Sequence, residues 1–204
     1  MVKGSLYIIS APSGAGKTSL VNALLASTSA LEVSVSHTTR EKRSGEKHGV
    51  HYFFIDLAEF EAMRDQQAFL EHAKVFDNYY GTSREAVESQ LDRGVDIILE
   101  IDWQGAQQIR QIYPESVSIF IIPPTKTALE QRLQSRGQDD GQIIARRMRD
   151  AVAEISHYNE FDYLVVNDHF GQAQEELRAI VLARRLRLDI QRHRHEQLLH
   201  QLLT

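Results

Sequence analysis

The sequence predicts an α/β fold, a central parallel sheet with helices on both faces. Three observations carry this. Four short apolar runs are each followed by a stretch with helical spacing, and a glycine-rich loop joins the first such pair. Two further stretches break the rhythm, which places an inserted lobe and a separate helical segment beside the core.

Taken in order, "SLYIIS" (5–10) is apolar and partly β-branched and reads as a buried strand. Beyond the loop, "KTSLVNALLAS" carries Leu20, Ala23 and Leu24 at helical spacing. "VDIILEID" (95–102) precedes the helical "WQGAQQIRQIY", and "VSIFIIPP" (117–124) precedes "KTALEQRLQSR". "FDYLVVND" (161–168) precedes a long helical stretch from about Gly171. Ligands of such a sheet sit beyond the carboxyl ends of its strands. Residues Ser34 to Thr82 hold "GVHYFFI" and many turn residues without a long helix, as expected of a small mixed or antiparallel lobe. Residues Lys126 to Asp150 are mostly helical and rich in arginine, interrupted by the turn "RGQDDGQ". The tail "RRLRLDIQRHRHEQLLHQLLT" continues the helical periodicity and reads as an appended helix.

The bulk properties set limits. The chain has 204 residues, 42% hydrophobic and 25% charged, the profile of a soluble globular protein. Its net charge is -5 and its pI about 6.0, so a general nucleic-acid surface is not expected and phosphate recognition must come from local basic clusters. No apolar run is long enough to cross a bilayer, and no membrane partner is expected. "MVKGSLYIIS" runs into the glycine loop with no small-residue cleavage site, unlike a secretory leader. Cysteine is absent, which excludes disulfides and thiolate metal sites and fits a cytoplasmic setting.

"SAPSGAGKTSL" (10–20) matches the phosphate-loop pattern G-x-x-x-x-G-K-[ST] except at Ala11, where glycine is usual. Phosphate needs many donors at close range, and consecutive backbone N–H groups supply them. Gly14 and Gly16 permit the required backbone angles, and a helix starting near Lys17 adds its positive end. Lys17 can reach the terminal phosphates and the Thr18 hydroxyl can ligate Mg²⁺. Ala11 fits provided its φ is negative. A dinucleotide pattern G-x-G-x-x-G would need glycine at Ser19.

"SVSHTTREKRSGEKHGVHYFF" places Ser36, Arg40, Arg43 and Tyr52 in one turn-rich stretch. Two arginine forks with hydroxyls nearby can clamp a phosphate; an exposed basic loop has the same composition. This segment, with "FLEHAKVFDNYYGTS", "LEIDWQGAQQIR" and "SRGQDD...ARRM", resembles the ordered motifs of the guanylate kinases, P-loop ATP:GMP phosphotransferases, through about Arg184. The resemblance implies a P-loop NTPase fold: a guanylate kinase-like domain at 4–184, with its core at 4–33, 83–125 and 156–184, a GMP-binding lobe at 34–82 and a lid at 126–155. A helical extension follows at 185–204.

The resemblance also implies site residues. Ala11, Pro12, Ser13, Gly14, Ala15, Gly16, Lys17 and Thr18 would hold ATP, with Thr18 on Mg²⁺. Arg136 and Arg147 would close over ATP from the lid, and Asn167 and Asp168 would lie near the adenine. Ser36, Arg40, Arg43, Tyr52 and Tyr80 would hold the GMP phosphate. Glu71 would accept from the guanine ring N–H and amine, Thr82 would donate to the guanine carbonyl, and Asp102 would sit between the guanine lobe and the metal-phosphate centre. The implied reaction gives ADP and GDP, with dGMP as a further acceptor. Lys17, Arg40, Arg43, Arg136 and Arg147 would stabilise charge, and Asp102 would organise an arginine or a metal-bound water.

The chemistry agrees. Guanine presents donors where adenine presents an acceptor, and an ionised carboxylate only accepts. No general base is needed, because a phosphate monoester has a second pKa of about 6 and arrives deprotonated. Two other functions are open: a guanylate-kinase-like module that binds phosphopeptides without catalysis, and a P-loop kinase with another acceptor. Intact Gly16-Lys17-Thr18 argues against the first and the Glu71–Thr82 pair against the second.

Among the remaining features, "HEQLLH" approximates H-E-x-x-H. Its His195 and His200 are five apart, so on a helix they point about 140° from each other and suit no shared metal. Tail leucines Leu186, Leu198, Leu199, Leu202 and Leu203 make a candidate seam for a homo-oligomer. Trp103 reads as a packing residue, and His37 and His51 as exposed loop histidines.

Overall fold

Leu6–Ser10 (β1) is buried along its whole length, as a central parallel strand must be. The computed structural model describes residues 3–75, 77–135 and 141–204. From β1 the chain runs into α1 (Lys17–Ser27) and β2 (Leu31–Val33). The inserted segment follows: β3 (His37–Thr38), β4 (Phe53–Phe54), α2 (Leu57–Asp65), β5 (Phe69–Val75) and β6 (Asn78–Ser83). Then come α3 (Arg84–Asp92), β7 (Asp96–Glu100), α4 (Trp103–Ile112), β8 (Val117–Ile122), α5 (Lys126–Gln134) and α6 (Gly141–Ile155). A short 3-10 turn at Tyr158–Glu160 precedes β9 (Tyr163–Val166), α7 (Phe170–Arg185), α8 (Leu188–Arg194) and α9 (Glu196–Leu203).

The main sheet has the order β2-β7-β1-β8-β9, with every pair parallel. Alternation along β1 divides the core into two layers. Tyr7 and Ile9 pack with Leu20, Leu24, Leu177 and Val181 of α1 and α7. Leu6 and Ile8 pack with Val87, Leu91, Ala106 and Ile109 of α3 and α4. The four strands expected from apolar runs are all present. The fifth, β2, is only three residues long, too short to leave a periodic signal.

The inserted segment carries a second sheet, ordered β4-β3-β6-β5, in which β3–β4 is parallel and the other pairs antiparallel. It is therefore mixed, and its α2 is a nine-residue helix capped by Asp56, which accepts from Glu59 N–H. The β5–β6 register shifts between Phe69 and Glu71, which sets Glu71 directly opposite Thr82. His37, expected as an exposed loop residue, instead stacks on Phe53 at 4.8 Å within this sheet, and burial lowers its pKa.

The tail is not one continued helix. α7 ends at Arg185, whose side chain pairs with Asp96 at 2.7 Å and donates to the carbonyls of Ser29 and Ala30. Gln191 then caps the Arg185 carbonyl, and α8 and α9 bury no residue, so nothing holds them as a continuous rod. His195 falls at the break between them. Among the described residues there is no cluster of three or more metal-binding side chains and no helix long and apolar enough to cross a membrane.

Candidate active site

Ser10, at the carboxyl end of β1, leads into the glycine loop. Gly14 and Gly16 have φ of 91° and 94°, values that only glycine adopts easily. Among the described non-glycine residues positive φ falls on Ala30 and Gln67 alone, so Ala11 has an ordinary backbone and its methyl packs on the core beneath the loop. Gly16 is the N-cap of α1 and offers no side-chain cap, leaving the first-turn N–H groups for a ligand. The loop is braced from behind. Asn167 Nδ2 donates to the Ala15 carbonyl at 2.7 Å, and Arg132 donates to the Ala15 and Asn167 carbonyls. A Cβ on Gly16 would lie 2.4 Å from Asn167 Nδ2, so the close approach also requires glycine.

In front of the loop lies a cleft lined by Ala11, Ser13, Lys17, Ser36, Tyr52, Glu71, Tyr80, Glu100, Asp102 and Glu154. An adjoining cavity joins Thr18 to Ser36, Arg40, Arg43, Glu46, Tyr52, Tyr80 and Glu100. Lys17 Nζ lies 3.8 Å from Glu100 at the end of β7. Arg40 pairs with Glu46 at 2.8 Å, and its guanidinium lies over the Tyr52 ring. The Arg43 N–H also donates to Glu46.

Glu71 on β5 is 3% exposed. It accepts the Thr82 hydroxyl at 2.5 Å and borders the start of α4, where a Cβ on Gly105 would meet its Oε2 at 2.4 Å. Burial raises its pKa to about 7 against the opposing bond from Thr82. Asp102 is the N-cap of α4, accepting from Gly105 N–H at 3.0 Å and from Gln104. Next to it Trp103 stacks on His157, with ring centroids 3.7 Å apart.

Helices α5 and α6 pack on each other through Leu129, Leu133, Met148 and Ala151 and approach the loop from above. Arg147 donates to Ser13 Oγ at 2.9 Å, and Glu154 Oε2 accepts from Ser13 N–H at 3.2 Å.

This geometry joins a phosphate loop to a second basic pocket and a buried carboxylate, and comparison with known proteins agrees with it. The guanylate kinase family model matches residues 3–184. The chain belongs to the guanylate kinase family. It is 59% identical over 206 residues to the guanylate kinase of Yersinia pestis and 58% identical to that of Escherichia coli strain K12, covering 100% of each chain in both cases. The crystal structure of guanylate kinase from Anaplasma phagocytophilum matches with a TM-score of 0.76 at 34% identity, over 92% of this chain and 89% of that one.

Against the roles that the guanylate kinase resemblance implied, the structure brings Ala11, Ser13, Lys17, Ser36, Tyr52, Glu71, Tyr80 and Asp102 to one cleft, and Thr18, Arg40 and Arg43 to the cavity beside it. Pro12, Gly14, Ala15 and Gly16 form the loop itself. Two residues face elsewhere. Asn167 is a buried strut behind the loop, and Asp168, next to it, has an exposed side chain near His169. The Thr82 hydroxyl has one proton, and it goes to Glu71. Arg136 lies outside the described residues. Sequence reading missed Glu46, Glu100, Arg132 and Glu154. Glu100 sits in the quoted "LEID" and Glu46 in "RSGEKHG", but charge alone marks neither as a partner of Lys17 or Arg40.

Proposed function

We propose that this chain transfers the γ-phosphoryl group of ATP to GMP, giving ADP and GDP. One observation carries the reading: Lys17 of the phosphate loop and the buried carboxylate of Glu71 face the same cleft. A donor phosphate and a purine acceptor can therefore meet there.

The roles follow from chemistry. The loop amides and the start of α1 hold the ATP phosphates. Ser36, Arg40, Arg43, Tyr52 and Tyr80 receive the phosphate of GMP, which displaces Glu46 from Arg40. Glu71 accepts from the guanine N–H and amine, and Thr82 fixes which Glu71 oxygen is turned to the base. The acceptor oxygen needs no base, so catalysis consists of alignment and charge stabilisation by Lys17, Arg40, Arg43, Arg136 and Arg147. Residues 126–155 act as the lid, excluding water as the competing acceptor.

Thr18 would hold Mg²⁺, a reading supported by the oxygens of Glu100, Ser34 and Ser36 that line the same cavity. Oxygen donors with space for phosphate and water suit this ion, which keeps much of its hydration. Bound there, Mg²⁺ would offset negative charge on the transferred group. Asp102, fixed as the α4 cap, orients neighbours at the cleft wall.

A coupled ADP-release assay with ATP and a panel of nucleoside monophosphates tests the reading. Turnover should be high with GMP and low with AMP, CMP and UMP; no turnover with GMP rejects it. A second prediction concerns Gly105. A methyl group there must push Glu71 aside, so Gly105→Ala should raise KM for GMP about tenfold, the equivalent of one impaired charged hydrogen bond, and leave KM for ATP unchanged. Steady-state kinetics with each substrate varied in turn checks this.

A further inference from the structure

The carboxylate of Glu154 has no part in the roles above, yet it reaches the phosphate loop. It comes from α6, is mostly buried, and accepts a loop N–H, that of Ser13, at 3.2 Å. The same helix places Arg147 on the Ser13 hydroxyl. A backbone N–H of a phosphate loop is a donor built for an anion, and here a protein anion holds it. The groups around Glu154 divide by charge. Lys17 of α1 attracts it; Asp102 at the cap of α4 and Asp150 on α6 oppose it; Glu71 and Glu100 line the same cleft. Burial and these acids favour its protonated form, with a pKa raised to about 7.

We infer that Glu154 is an internal competitor for the phosphate loop: it holds the Ser13 N–H in the nucleotide-free protein and yields it to a phosphate oxygen of ATP. This rests on the reading of the loop as the ATP site. The competition links two events. As a nucleotide phosphate approaches Ser13, a carboxylate from α6 must withdraw or take up a proton, because two anions cannot share one donor at close range. Release of Glu154 removes one of the two α6 contacts to Ser13, while the other, from Arg147, brings a cation that attracts the incoming phosphate. A single residue position thus carries both the contact that holds α6 on the empty loop and the one that favours the filled loop. Glu154 is in this sense a positioning residue, acting on ATP affinity and the placement of α6 and not on the transferred group.

The test is calorimetric binding of the non-hydrolysable analogue β,γ-imido-ATP with Mg²⁺ to the full chain, wild type and Glu154→Gln. The glutamine keeps the size and the acceptor oxygen but removes the charge. At pH 8 it should bind about 5- to 10-fold tighter than wild type, the order expected from removing one short-range repulsion in a partly hydrated cleft. The gain should shrink toward unity at pH 6, where the wild-type carboxyl is protonated. GMP affinity should stay within about twofold, which a general loosening of the fold would not allow. Asp150→Asn, the neighbouring α6 carboxylate that pairs with Arg146 and does not touch the loop, should change analogue affinity by less than about twofold. Equal or weaker analogue binding by Glu154→Gln at pH 8, or a gain of the same size at both pH values, overturns the inference. Glu154→Ala provides the same comparison if the glutamine variant is poorly folded. Wild-type protein that binds no analogue at all would instead count against the ATP site itself.

Discussion

Lys17→Ala should lower kcat by roughly 10²- to 10³-fold, the scale of removing one preorganised donor from developing charge, with GMP affinity nearly unchanged. The split follows from where the groups sit. Lys17 opens α1 directly after the loop, at the positive end of that helix, and its ammonium is 3.8 Å from Glu100. Negative charge spreads over the oxygens of the transferred group only during transfer, so a cation at this point acts more strongly on the transition state than on either bound substrate. In the proposed function the acceptor is gripped elsewhere, by Arg40 and Arg43 on the lobe and by Glu71 on β5. The substitution leaves Glu100 without its partner. Glu100 retains about 21% of its side-chain exposure, enough hydration to keep the fold, which thermal unfolding verifies. Saturation kinetics and calorimetric GMP titration separate the two effects. A variant with normal kcat and weakened GMP binding would move Lys17 from phosphoryl transfer to acceptor recognition.

A pattern runs through the site. Lys17 faces Glu100, Arg40 holds Glu46, and the Ser13 N–H holds Glu154. Three groups proposed to bind phosphate each carry a carboxylate partner. Such partners offset locally concentrated donors in the folded chain, and in the proposed function each is exchanged for a phosphate oxygen on binding. Affinity is then a difference between two anions at the same donor, which favours release as well as capture.

None of these pairings was legible in the sequence, for a definite reason. The loop, the strands β1, β7, β8 and β9, and the helices after them are local patterns, visible within about ten residues. Most of the braces and pairings join distant parts of the chain, Asn167 to Ala15 across 152 positions and Glu154 to Ser13 across 141, while Arg40 and Glu46 are six apart but lie in a turn-rich stretch with no regular period to pair them. Spacing along a chain says nothing about such contacts. Local signals also failed where an element is very short, as in β2, or where an irregularity decides the outcome. The shift in β5 is one residue, yet it turns Glu71 toward Thr82. Likewise Asn167 reads as a polar residue ending an apolar strand, and only its 2.7 Å bond to Ala15 makes it a brace. The question posed by Ala11 was answered by the backbone, since positive φ falls on Gly14 and Gly16 and not on Ala11.

Glu71→Gln should reduce the preference for GMP over AMP, measured as the ratio of kcat/KM values, by roughly 10²-fold or more. The carboxylate of Glu71 is 3% exposed and accepts from Thr82, leaving its remaining acceptor capacity toward the cleft. In the proposed site guanine would meet it with two donors, whereas adenine would set its N1 acceptor against a buried anion. An amide of the same size can present an N–H to that acceptor, so the discrimination collapses without a cavity. The titration of Glu71 gives a second signature. Its pKa is raised to about 7 by burial, so its proton must leave before guanine can use both oxygens. Wild-type GMP affinity should therefore rise with pH through about 7, beyond the part due to ionisation of the GMP phosphate, and the glutamine variant should lack this extra rise. Stability moves the opposite way. A carboxyl whose folded pKa lies above its ordinary value of 4.5 contributes fully below 4.5 and loses that contribution as pH climbs to about 7. Relative to wild type, Glu71→Gln should thus unfold at a higher temperature at pH 8 than at pH 5. An unaltered GMP-to-AMP ratio in the variant would take Glu71 out of base recognition, whatever its effect on stability.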